Sequence, residues 1–116
     1  MDTNILWILA VVIAGLYFTV RRFGNRKTPR TVVGEKIALG AVVVDVRTKG
    51  EFASGAYPKA KNIPLDSLAD RLAELPKNKP IVVYCASGAR ASQAARILLG
   101  AGFADVVNAG GLSDLR

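Results

Sequence analysis

The chain has 116 residues, of which 51% are hydrophobic and 22% charged, and its net charge is +7. This length supports one domain with a modest core, and the composition excludes a disordered or low-complexity chain. A single cysteine excludes an internal disulfide framework, and the lack of histidine removes the usual zinc or haem ligand and the usual general base, so no Ser-His-Asp or Cys-His mechanism can be drawn.

The first element is apolar. Residues Thr3 to Val20 contain no charge, and as a helix they would span roughly 27 Å, close to the ~30 Å of a hydrocarbon core. Trp7 near one end and Tyr17-Phe18 near the other suit the two membrane interfaces. A cleaved secretory signal would need a basic start and a small-residue cleavage site, whereas Asp2 precedes the run and Arg21-Arg22-Phe23-Gly24 follows it. A buried core helix is the other reading, but so short a chain rarely wraps a helix that is apolar all round. The sequence therefore predicts a transmembrane anchor over residues 1–21.

A basic linker follows over residues 22–30. Arg21, Arg22, Arg26, Lys27 and Arg30 lie together with no acid among them, which by the positive-inside rule predicts a single-pass protein of the cell membrane with its C-terminal domain in the cytoplasm. Attraction to anionic headgroups explains this charge better than nucleic acid does. Residues 31–116 carry eleven basic and eight acidic residues, so charge implies no nucleic-acid partner.

From residue 31 strands alternate with helices. Val42–Val46, Ile81–Tyr84 and Asp105–Asn108 are short β-branched runs suited to buried parallel strands. Between the first two, Asp66–Leu75 reads as a helix with Leu65, Leu68, Leu72 and Leu75 on one face and Pro76 as its stop. Ala91–Leu99 reads as a second helix. The alternation predicts an α/β domain with a mainly parallel sheet flanked by helices.

The chemistry concentrates in Ile81-Val82-Val83-Tyr84-Cys85-Ala86-Ser87-Gly88-Ala89-Arg90. A buried strand ends at the lone cysteine, a small-residue loop follows, and a helix begins; ligands of open α/β sheets bind at such strand ends. Backbone N–H groups converging in this loop and the dipole of the following helix both favour thiolate over thiol. Gly88 permits a loop conformation that a side chain would obstruct, and Arg90 can offer a fork to an oxyanion. A lone cysteine after a strand is ordinarily a buried structural residue. The combination with the glycine loop and the arginine favours a reactive one.

Four pieces resemble the single-domain rhodanese (thiosulfate sulfurtransferase-like) family in order and spacing. They are Val44-Asp45-Val46-Arg47 with Glu51-Phe52; Gly55 to Pro58 with Ala60, Asn62, Ile63 and Pro64; Cys85 to Arg90; and Asn108-Ala109-Gly110-Gly111. The resemblance implies a rhodanese-like fold preceded here by one transmembrane helix, and sulfur transfer through a persulfide on Cys85. It implies that Ala86, Ser87, Gly88, Ala89 and Arg90 bind the substrate, with Arg90 as the anion ligand. It implies no metal and no cofactor. The partners are a small sulfur-containing donor, a thiol or cyanide acceptor, and an acceptor protein that the sequence does not name. Related phosphatases place five residues between cysteine and arginine, and the four here, Ala86 to Ala89, suit a sulfane sulfur better than a phosphate.

The chain departs from the family in three places. Gly55-Ala56-Tyr57 stands where a histidine is common, no aromatic follows Gly110-Gly111, and the Cys85 loop has no basic residue beyond Arg90. The last weakens thiosulfate as the preferred donor. The end at Arg116 leaves almost no C-terminal helix, as truncation would. Asp45 and Arg47 could line the pocket, but an Arg47–Glu51 pair four residues apart and backbone N–H groups donated to Asp45 give them structural work instead. An adaptor or sulfur relay tethered to the membrane, with little turnover of its own, is the alternative to an enzyme.

Overall fold

A computed structural model describes residues 3–24 and 27–116, with side chains of the first helix described from 4 to 17. That helix, α1, runs Thr3–Gly24. Pro29 then caps α2, Arg30–Ala38, which buries Val33. β1 is Val42–Asp45, α3 is Lys49–Ala53 and β2 is Lys61–Asn62. After two 3₁₀ turns come β3, Ile81–Cys85, then α4, Ala89–Gly100, then β4, Val106–Gly111, and last α5, Leu112–Leu115. The four strands form one parallel sheet in the order β2-β1-β3-β4, as the alternation of strand and helix predicts.

Period-two alternation along the strands divides the core into two layers. Val44, Ile81, Val83 and Cys85 face Leu68, Leu75, Ala91, Ala94, Ala95, Leu98 and Phe103, which come from the 3₁₀ turns, from α4 and from the turn after it. Val43, Val82 and Tyr84 face the other way, with Val33 of α2 and Ala109. β3 lies inside the sheet and all five of its residues are buried. This is why it reads as an unbroken apolar run.

The expected helix over Asp66–Leu75 is instead two 3₁₀ turns, Leu65–Asp70 and Leu72–Glu74. The cause lies in the leucine spacing. The three-residue steps from Leu65 to Leu68 and from Leu72 to Leu75 suit three residues per turn, and the four-residue step between them falls at the break. Ser67, Arg71, Glu74 and Leu75 accordingly donate to carbonyls three residues back.

Two expectations for the N-terminal part fare differently. Among the described residues no helix is long and apolar enough to cross a membrane, so the structure does not show the anchor expected over residues 3–20. The side chains of residues 18–20, part of that expected span, lie outside the described set. Within the expected linker, Lys27 forms a parallel bridge with Asn108 and the Thr28 N–H donates to the Asn108 carbonyl at 2.7 Å. The linker's last residues therefore join the edge of the sheet beside β4.

Candidate active site

β3 delivers Cys85 to the carboxyl end of the sheet, where its side chain is 1% exposed. The Gly88 N–H donates to its sulfur at 2.9 Å. Gly88 has φ 109° and stands just before α4; this left-handed conformation, which side chains resist, turns the loop back over the sulfur. Ala86, Ser87 and Ala89 are exposed on the loop's outer side and Gly88 is half-buried.

The loop rests on the double glycine at the end of β4. A register shift between β3 and β4 sets Cys85 opposite Gly111. A Cβ on Gly111 would lie 2.3 Å from the Ala86 carbonyl oxygen and 3.3 Å from the Ser87 Cα. Gly111 itself has φ −96°, which any residue can adopt, so the requirement is closeness rather than torsion. Its N–H donates to Asp114 at 2.8 Å, and Asp114 also accepts from Lys27 at 2.6 Å. These glycines are part of the quoted resemblance, but their work beneath the loop does not show in the sequence.

Arg90 is half-exposed, one residue into α4, within electrostatic reach of Cys85. Its fork is already engaged: Nη1 and Nη2 donate to the two carboxylate oxygens of Glu51 at 2.7 and 3.0 Å. Glu51 also accepts from the Thr48 N–H and hydroxyl at 3.3 and 3.1 Å, while its own N–H donates to the Thr48 oxygen. This is a capping box on α3. The Arg90 guanidinium, with the Thr48 contacts, lowers the Glu51 carboxyl to about 2, so it is ionised throughout the neutral range. The expected Arg47–Glu51 pair does not form. Sequence reading missed Glu51 as the partner of Arg90, although Thr48-x-x-Glu51 was legible as a capping signal.

Arg47 turns instead to Asp45. Its Nε and Nη2 donate to that carboxylate at 3.0 and 2.6 Å, its backbone N–H donates to Asp45 at 2.9 Å, and Nη2 also reaches the Gly55 carbonyl at 2.7 Å. The Arg47 guanidinium sits 5.7 Å from the Tyr84 ring centre. Burial pushes the Tyr84 hydroxyl up to about 12, helped by a hydrogen bond with Asp45; neutral, it accepts the Tyr57 N–H at 3.0 Å. Asn62 donates to the Asp45 and Arg47 carbonyls, both at 3.0 Å. With Asp45 fully buried and paired in this way, its charge and that of Arg47 are spent tying β1 to the segments around Gly55 and β2.

A Rhodanese-like domain pattern matches residues 30–115. The chain is 40% identical over 67 residues to a sulfurtransferase of Allochromatium vinosum, a match covering 58% of this chain and 63% of that protein. It is also 40% identical over 72 residues to the thiosulfate sulfurtransferase GlpE of Pseudomonas savastanoi pv. phaseolicola, covering 62% of this chain and 68% of the relative. Among solved structures, one described as a rhodanese with anions from E. coli is 37% identical. It superposes with a TM-score of 0.61 over 64% of this chain and 89% of that one.

Proposed function

The chain belongs to the rhodanese-like domain family, several of whose matched relatives are named sulfurtransferases, and on that premise we propose that it moves a sulfane sulfur from a donor such as thiosulfate or a persulfide to a thiol or cyanide. The observation that carries this reading is the buried Cys85 sulfur at the end of β3, with the Gly88 N–H donating to it at 2.9 Å. In this scheme Cys85 attacks as the thiolate, with the Gly88 N–H donating to its sulfur. The thiolate displaces the leaving group of the donor and takes up its outer sulfur. The acceptor then attacks that sulfur and restores the thiolate. Ala86 to Ala89 surround the outer sulfur in this scheme, and Arg90, tied to α3 through Glu51, holds the loop's far end.

The cycle predicts that a loaded protein discharges once. The full chain, exposed to thiosulfate or cysteine persulfide and then freed of donor, should yield one thiocyanate per chain when cyanide is added. No thiocyanate from either preparation would remove the sulfurtransferase reading and leave an adaptor.

We also propose that α1 anchors the protein in the cell membrane as a single pass, with the domain in the cytoplasm. The uncharged run from Thr3 to Val20 supports this. So does the exposure of Trp7, Ile8, Val11, Ile13 and Leu16, which point around the helix and are each 62–72% exposed. The five basic residues at 21–30 give the orientation. The chain should stay in the membrane fraction through an alkaline carbonate wash. Recovery of a soluble chain beginning near residue 22 would mean cleavage and would sink the proposal.

A further inference from the structure

At the mouth of the Cys85 loop, Arg90 and Glu51 form an ion pair at 2.7 Å. Both terminal nitrogens of Arg90 are committed to Glu51, and Glu51 is fixed from behind by the capping box at Thr48. The loop between, Ala86-Ser87-Gly88-Ala89, carries no charge. The other nearby guanidinium, Arg47, is buried against Asp45. At the loop mouth a carboxylate therefore lies against the group that would receive an anion.

The two donor classes differ in the charge they bring. Thiosulfate arrives with two negative charges beside a thiolate. As the Cys85 sulfur bonds to its outer sulfur, the S–S bond breaks and the electron pair leaves on sulfite, again with two charges. A protonated persulfide, R–S–SH, arrives uncharged at its reacting end; the same attack breaks its S–S bond, the pair leaves on R–S⁻, and the proton stays on the transferred sulfur. The first reaction needs a free cation at the mouth and the second does not.

Resting on the sulfur-transfer reading above, we propose that Glu51 determines donor specificity: by occupying the Arg90 fork, it turns the site away from the thiosulfate dianion and toward low-molecular-weight persulfides. Ionisation of Glu51 across the neutral range keeps that bias constant with pH there.

Glu51→Gln tests this in the full chain. Glutamine still serves the capping box, so α3 keeps its start while Arg90 is released. The ratio of kcat/KM for thiosulfate to that for cysteine persulfide should rise about tenfold, the effect of one freed charge-assisted contact. Thiosulfate turnover in this variant should also fall more steeply with added salt than in the parent, because attraction to an unpaired cation is screened. Arg90→Gln leaves the carboxylate without its counter-charge and should move the ratio the other way by a similar factor. An unchanged ratio in both variants, or equal shifts for both donors, would overturn the proposal. Failure of the parent chain to accept sulfur from either donor would instead overturn the sulfur-transfer reading on which it rests.

Discussion

Cys85→Ser should abolish sulfur transfer while the domain stays folded. Serine has nearly the volume of cysteine and can accept the Gly88 N–H that the sulfur accepts at 2.9 Å, so the loop keeps its bond. Placing a hydroxyl at a position 1% exposed should cost no more than about 1–3 kcal/mol. A hydroxyl does not ionise near neutral pH in this setting and cannot hold a sulfane sulfur, so kcat should fall at least ~10³-fold, on the scale of losing a nucleophile. Steady-state turnover measured beside a thermal melt checks both halves. Activity above a trace in a folded variant would reject Cys85 as the nucleophile.

Gly111→Ala should nearly silence the site without touching a reacting atom. The new Cβ would sit 2.3 Å from the Ala86 carbonyl oxygen and 3.0 Å from the carbonyl carbon. Both are backbone atoms, so no side chain can swing aside. Relief requires the loop to move by about 1 Å, a misplacement that can cost ~10²-fold in rate, and the strain should lower stability by about 1–3 kcal/mol. Gly34→Ala is the control: its Cβ would meet nothing within 4 Å, it lies within α2, and alanine there should stabilise by about 0.5–1 kcal/mol with transfer unchanged. Equal activity in the two variants would show that the close approach of β4 to the loop has no part in the reaction.

What was legible in the sequence was whatever rests on local pattern. Val42–Val44 and Ile81–Tyr84 announce themselves because a strand buried on both faces reads as a near-continuous apolar run, and Cys85 follows the second of them directly. β2 is two polar residues, Lys61-Asn62, paired only to β1, and no periodicity can reveal so short an edge. α2 was hidden by Thr31, Val32, Val33 and Gly34, residues that disfavour helix; burial of Val33 against the sheet overrides that preference.

Pairings over long sequence distance were out of reach for a different reason. Arg47 and Glu51 satisfy the helix-spacing rule, yet a fully buried Asp45 needs a cation more than an exposed turn does, and it captures Arg47. Glu51 is then free to meet Arg90 thirty-nine positions away. Only the fold brings α3 to the start of α4. The same holds for Gly111, whose contact with Ala86 depends on the register shift between β3 and β4.

The central claim is that sulfur rests on Cys85 between donor and acceptor. It is tested most directly by the intact mass of the full chain after exposure to donor and removal of excess, followed by peptide mapping. A gain of about 32 Da on the peptide bearing Cys85, lost again on treatment with cyanide, is the expected result for a persulfide. An unchanged mass after both thiosulfate and cysteine persulfide, in a chain whose Cys85 still alkylates, would contradict it.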